Sequence, residues 1–408
     1  MFVELGALSL ISYAGYRIKN KDFYKYKNLL NAMYAKESGF TNKLNHTSIL
    51  KQYLRLSYGD RLILDVSGVM SFEELEKKKD YITTYFKAKD VVLKRLNNGL
   101  IQLDLIRNEY PNKHYEVVKT KEYEIFCGYN RQGQEIKVNL NRFPHTLVGG
   151  DTGTGKSRLM LLILTNLITQ HSNIDIYLMQ IRKGDLTVFK DCKQVRRVSK
   201  TLEEVRETLL YLDKICKERD TKIEDYIGKG IYNIEDWNKT FKYRQLKYVY
   251  AVLEEFAFYN PSGADSKEEK AIKKEILGLI RNIVLVGRSV GVFILTSLQK
   301  PTSSSIPPEI KGQLCTRISF KLQDKETSII ILGNAAATKL KEREVIIRTL
   351  GEETVKIPYI DHKLIMKAIQ NSIIHKAEKK PIATKVIPKK EIKETRNDGV
   401  IDLGVLLK

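Results

Sequence analysis

From His145 onward the chain alternates short apolar runs with longer stretches in which apolar residues recur every three or four positions. Continuous apolar runs read as strands buried on both faces, and the 3.6-residue period reads as amphipathic helices packed on them. The predicted strands are His145–Val148, Ile174–Ile181, Tyr248–Leu253, Val292–Ser297 and Arg317–Leu322. The predicted helices lie near Lys156–Thr169, Leu202–Arg219 and Lys267–Val286. Strands and helices that alternate in this way specify an α/β domain with a mostly parallel sheet.

Upstream the rhythm is different. "GLIQLDLI", Gly99 to Ile106, and "YEIFCGYNRQGQEIKVNL", Tyr123 to Leu140, are β-rich, and the second folds as a hairpin around Asn130–Gly133. "SFEELEKKKDYITTYFKA", Ser71 to Ala88, reads as one helix opened by a Ser71–Glu74 capping box. The expected organisation is an apolar segment at 1–18, a smaller accessory α+β region at 19–122, the α/β domain at 123–365 and a basic tail at 366–408. That tail is lysine-rich and ends in the apolar "VIDLGVLL", which suits either a docking peptide or a strand folded back on the body.

Residues 1–18 are short of the roughly 20 apolar residues that span a bilayer, and Glu4 interrupts them. Their positive flank follows the apolar run, the reverse of a cleavable signal peptide. The segment is therefore either a weak or interfacial membrane anchor or a buried helix or tail, and the basic flank favours a cytoplasmic body in both cases.

Charge narrows the partner class. Lys and Arg outnumber Asp and Glu by 70 to 49, a formal net charge of +21. Such a surface attracts polyanions, although a solvated lysine-rich surface accounts for the same number. The four cysteines, Cys127, Cys192, Cys216 and Cys315, have neither disulfide-framework nor zinc-site spacing.

The chemistry begins at "GDTGTGKS", which fits G-x-x-x-x-G-K-[ST] without a mismatch. It lies between a predicted strand and a predicted helix, the context in which glycines aim main-chain N–H groups at phosphates. Gly150, Asp151, Thr152, Gly153, Thr154, Gly155, Lys156, Ser157 and Arg158 are the nucleotide-binding candidates, with Lys156 reaching the β- and γ-phosphates of ATP and Ser157 ligating Mg²⁺. "YVYAVLEEF" ends a strand in two acids, and we assign Glu254 to the metal water shell and Glu255 to activation of the attacking water. Gln299, at the end of "GVFILTSLQKP", belongs to the same carboxyl edge and is placed to touch the γ-phosphate or the water.

These blocks together resemble the FtsK/SpoIIIE-type DNA-pumping ATPases. "GYNRQGQEIKVNLNRFPHTLVGGDTGTGKS" is similar to that family's lead-in and phosphate loop, "QIRKGDL" to its D-P-K-G-x-E-L, "GRSVGVFILTSLQKP" to G-R-x-x-G-I-H-L-I-L-A-T-Q-R-P, and "LCTRISFKLQDKETSIIIL" to its T-R-I-A-F segment. The blocks run from about Gly128 to Ile360. Glu254 stands where the family has Asp, Gln180 replaces the Asp of D-P-K-G, and Arg182 its Lys.

The resemblance implies a RecA-like P-loop core, ATP and Mg²⁺ as cofactors, DNA held through its phosphates, and a homo-hexamer. In such a ring Arg317 or Arg288 would complete a neighbour's site. No winged-helix pattern follows the motor. The accessory lead-in and basic tail look most like the coupling ATPases of Gram-positive conjugative elements, with a relaxase and membrane channel proteins as partners. Phage DNA packaging or chromosome movement, and a nucleotide-switched scaffold without turnover, are the alternatives.

Overall fold

A computed structural model of the chain describes residues 20–374, apart from 37–39, 43, 182–183, 300 and 303–304. The apolar N-terminal segment, most of the basic tail and Arg182 lie outside the described residues.

The main sheet has ten strands. Its parallel part runs in the spatial order β12 (Thr316–Ser319), β7 (Thr146–Gly149), β11 (Val292–Leu298), β10 (Tyr248–Leu253), β8 (Ile174–Met179) and β9 (Val195–Ser199). On the β12 side it is extended antiparallel by β13 (Glu344–Arg348), β14 (Glu352–Lys356), β5 (Glu124–Tyr129) and β6 (Glu135–Asn139).

Every residue of β7, β10 and β11 is buried, as continuous apolar strands between two helical layers require. Alternate residues feed opposite cores. Tyr248, Tyr250 and Val252 join the side covered by the helix Lys156–Gln170, whereas Val249, Ala251 and Leu253 join the side covered by Leu202–Glu224 and Lys267–Val290. The chain thus has the α/β, RecA-like P-loop architecture expected of it.

The differences from expectation have local causes. The helix Lys267–Val290 opens on a Ser266–Glu269 capping box and continues through the polar "GRSV" before Gly291 ends it at φ 73°. A Cβ at Gly291 would come within 2.3 Å of Ile234, so glycine alone permits so tight a passage into β11. The expected strand Arg317–Leu322 is cut to Thr316–Ser319, because Phe320 turns away to pack on the phosphate loop.

The single helix expected over Ser71–Ala88 is two, Phe72–Lys77 and Lys79–Tyr85, with the capping box in place. They part at Lys78, whose φ −94° and ψ 6° close the first helix and open the second while its ammonium lies 4.5 Å over the Phe40 ring. At the other end the helix His362–Ile369 passes residue 365 and buries Ile369, and the compact unit closes at Ile373.

The accessory region is a separate four-stranded antiparallel sheet ordered β1 (Ile49–Leu56), β2 (Gly59–Asp65), β4 (Leu100–Ile106), β3 (Asp90–Arg95). Only β4 is evident in the sequence, because β1 and β3 are edge strands with mostly exposed, irregularly patterned residues. One face packs on the helix Lys21–Lys36 and on the two short helices through Leu62, Leu64, Leu103 and Leu105.

The other face carries Asp104, which is fully buried. Its carboxylate accepts from Arg61 Nε (2.7 Å) and Nη2 (2.9 Å), from Tyr58 (2.9 Å) and from Gln132 (3.2 Å) in the β5–β6 turn. Beside it Arg131 stacks on Tyr110 at 4.3 Å. A buried carboxylate met by this many donors fastens the accessory sheet to the hairpin. Asp104→Ala would strand Arg61 and should lower stability by about 2–4 kcal/mol, read as a fall in the urea midpoint. A shift equivalent to less than about 0.5 kcal/mol, the scatter of neutral surface changes, would refute the fastening role.

Candidate functional site

The parallel strands all end at one edge of the sheet, so β7, β10 and β11 deliver the phosphate loop, the acid pair and Gln299 to the same place. The loop leaves β7 through Gly150 at φ 155°, turns at Gly153 at φ 80°, and starts the helix Lys156–Gln170 from Gly155 at φ 114°. These are left-handed conformations that side-chain-bearing residues avoid. A Cβ at Gly150 would also meet the Phe320 Cβ at 2.7 Å, and one at Gly155 would meet the Phe320 ring at 3.0 Å. Phe320 is thus the floor on which the cradle rests.

Lys156 is buried, and its ammonium donates to the main-chain oxygens of Gly150 and, at 2.8 Å, of Asp151. Burial pulls its pKa below the usual lysine range, while the charges of Glu255 and Asp151 oppose that shift. Ser157 is exposed on the first helical turn. Asp151 accepts from the Gln323 N–H (3.0 Å), which ties the loop to the segment after β12, and Thr154 Oγ1 donates to the Asp151 main-chain oxygen (2.7 Å) within the loop.

Glu255 is 7% exposed, and both its carboxylate oxygens accept from the Gln299 N–H, at 3.1 and 3.0 Å. Burial pushes its pKa up to about 7, outweighing the lowering effects of the Gln299 and Ala257 N–H groups and of Lys156. Thr152 Oγ1 donates to Gln299 Oε1 at 3.2 Å. Phosphate loop, Gln299 and Glu255 are therefore linked in one chain of hydrogen bonds.

Glu254 turns the other way. A Cβ on Gly184 would lie 2.0 Å from Glu254 Oε2, so the carboxylate is bedded against that glycine, and burial together with Asp185 raises its pKa. The metal role expected of Glu254 thus falls on a carboxylate that lies against Gly184 and feels Asp185, whereas Glu255 is the acid of the pair whose charge acts on Lys156. Gln180, beside this corner, donates to Thr187 Oγ1 at 2.7 Å, and among the described residues its Oε1 has no partner.

The remaining expected residues are engaged elsewhere. Arg158 donates to the Ile360 oxygen at 2.9 Å, on the approach to the last helix. Arg317 is half-buried and donates to the oxygens of Lys311, Leu314 and Ile331, the ends of two short helices, so it is occupied within its own chain. Arg288 is exposed and donates to the Asn141 oxygen at 2.9 Å, at the sheet edge opposite the phosphate loop.

Sequence reasoning passed over Phe320 and Gly184, although both lie in quoted segments. It also missed the role of His145. That ring is fully buried at φ 56°, with Nδ1 accepting from the Ile294 N–H (3.0 Å) and Nε2 facing the Val284 oxygen (3.1 Å). Burial lowers its pKa to about 4, so it ties β11 to the preceding helix as a neutral ring. Among the described residues no helix is long and apolar enough to cross a membrane.

Comparison with known proteins gives the family and the fold. The FtsK/SpoIIIE family model matches residues 113–349, more than half of the chain. The DNA translocase FtsK of Staphylococcus epidermidis is 23% identical over 248 residues, covering 58% of this chain and 29% of the relative. The chain thus matches about a third or less of the length of such curated relatives. Among solved structures, the pCW3 conjugation coupling protein TcpA, in a monomer form with ATPγS, aligns over 85% of this chain and 99% of its own at 19% identity, TM-score 0.59. EssC ATPases 2 and 3 from Geobacillus thermodenitrificans align over 65% of this chain and 51% of theirs at 13% identity, TM-score 0.53. At these identities the structural likeness is one of fold.

A carboxyl whose pKa rises on folding holds its proton more tightly in the folded state, so stability falls as pH climbs from about 4.5 through 7. Glu255→Gln removes this cost. The variant should match the parent near pH 4 and exceed it by about 3 kcal/mol at pH 8, a difference that chemical denaturation at the two pH values will measure. Equal stability of the two proteins at pH 8 would contradict the buried placement of Glu255.

Proposed function

Because this chain belongs to the FtsK/SpoIIIE family, we propose that it is an ATPase that drives DNA translocation, and that its DNA goes to a conjugative transfer channel. The observation that carries the reading is the hydrogen-bonded path from Thr152 through Gln299 to Glu255, with Lys156 beside it. It joins a phosphate cradle to a buried carboxyl poised near neutrality, the combination that water activation requires.

In this reading the Lys156 ammonium exchanges its two loop carbonyls for the β- and γ-phosphate oxygens of ATP, and the N–H groups of the glycine loop hold the same phosphates. Ser157 would hold Mg²⁺, which supplies charge neutralisation on those oxygens. Glu255, ionised, accepts the proton of the attacking water, and the Gln299 N–H keeps its carboxylate in line. Glu254 would have to leave Gly184 to contribute to a metal shell. Arg288, the exposed one of the two arginines, is the better candidate for a group offered to a neighbouring subunit of a ring. The net charge of +21 suits a grip on DNA phosphates without base readout.

Support for the conjugative role is at the level of fold. The likeness to TcpA reaches beyond the motor domain and takes in most of the chain. A relaxase and a membrane channel would be the partners of such a protein.

Phosphate release should rise on adding DNA, and the rise should fade at high salt. Glu255→Gln should lower turnover by about 10²–10⁴-fold while retaining bound ATP, whereas Lys156→Ala should weaken ATP binding itself. Parent activity should climb with pH through about 7 as Glu255 ionises. ATP that is retained but never hydrolysed, with or without DNA and regardless of Glu255→Gln, would instead identify a nucleotide-switched scaffold.

A further inference from the structure

Between the helix Leu202–Glu224 and β10 the chain builds a small lobe with its own aromatic core. Tyr226, Trp237 and Phe241 meet ring to ring at 5.2, 5.4 and 4.5 Å. This core fixes the turn Phe241–Arg244, closed by the Arg244 N–H on the Phe241 oxygen at 3.0 Å. The Trp237 indole N–H donates to the Arg244 oxygen at 2.9 Å. Asn238 grips the Leu246 main chain from both sides, at 2.9 and 2.7 Å.

What this scaffold presents is unusual. Tyr243, at the tip, is 103% exposed, more than any other large apolar side chain among the described residues, and Lys242 and Arg244 beside it are exposed too. Among the described residues neither cation is in an ion pair. The nearby acids are already engaged, Glu235 with Lys239 at 2.8 Å and Asp236 with Asn233 at 2.8 Å. Tyr232, on the same lobe, is 63% exposed. A ring held fully in water between two unpaired cations gains nothing for the fold, yet several hydrogen bonds hold its turn in place.

We propose that the Lys242–Tyr243–Arg244 turn is a contact for single-stranded DNA, in which an unstacked base lies on the Tyr243 ring and Lys242 and Arg244 neutralise the flanking phosphates. The proposal rests on the DNA-motor reading and specifies the form of the strand. A tyrosine face between cations offers a single strand both stacking and charge, whereas the base faces of a duplex are already stacked on one another. The turn also leads into β10. Three residues, Gln245–Lys247, link the turn to that strand, which is buried throughout, spans about 20 Å in its six residues and ends just before Glu254 and Glu255, so one rigid strand lies between DNA contact and catalytic edge.

Fluorescence anisotropy of the full chain with a labelled oligothymidylate, and with a duplex of equal length, tests the assignment. Tyr243→Ala should weaken single-strand binding about 5- to 150-fold and leave duplex affinity within about twofold, the null expectation for a surface change. Tyr243→Phe, which keeps the ring face, should bind as the parent does. Lys242→Gln combined with Arg244→Gln should reduce the slope of log affinity against log salt by about 1.4 for the single strand. Parent-like single-strand binding by Tyr243→Ala, or equal losses on both DNAs, overturns this inference alone. A parent protein that binds neither DNA overturns the motor reading along with it.

Discussion

The burial of β10 on both faces is the constraint from which the rest of the site follows. With β8 on one side and β11 on the other, its six residues have no solvent face and no freedom of register, because each side chain is committed to one of two cores. The strand therefore releases Glu254 and Glu255 at one fixed height. The parallel register of β11 and β7 sets Gln299 and the phosphate loop at the same height. Just past the strand end the acids part, Glu255 toward Lys156 and Glu254 toward Gly184.

The acid so placed is costly to the fold. A carboxyl that is 7% exposed and titrates near 7 holds its proton at pH values where most carboxyls have lost theirs. The structure limits the cost with main-chain donors, Ala257 and Gln299, the latter shared between both oxygens and belonging to the residue whose side chain touches the phosphate loop. Gln299 thus contacts both the buried acid and the phosphate loop. Away from this edge polar groups serve cohesion, as Asp104 does between accessory sheet and hairpin, His145 between strand and helix, and Arg317 at the ends of two short helices.

Much of this was legible in the sequence. The P-loop with its strand and helix, the order of elements in the α/β domain, the hairpin at Asn130–Gly133 and the Ser71 capping box all rest on local patterns. Periodicity, glycine spacing and capping chemistry act within a few residues, so a single sequence displays them. Less legible were β1 and β3, whose edge positions break the alternation, and the split at Lys77–Lys79. The short β12 was also hidden, since Phe320 leaves the strand to pack on glycines about 170 positions earlier.

By itself the sequence determined which residues could do chemistry and on which kind of element each would sit, because residue type and local period are properties of the chain. Only the tertiary structure decided which of them meet. It set Glu255 apart from Glu254, occupied Arg317 and Arg158 with carbonyls of their own chain, and left Tyr243 in water on a turn held from behind by Trp237 and Asn238. Side-chain direction and burial depend on contacts between segments far apart in sequence, and those contacts exist only once the sheet has assembled.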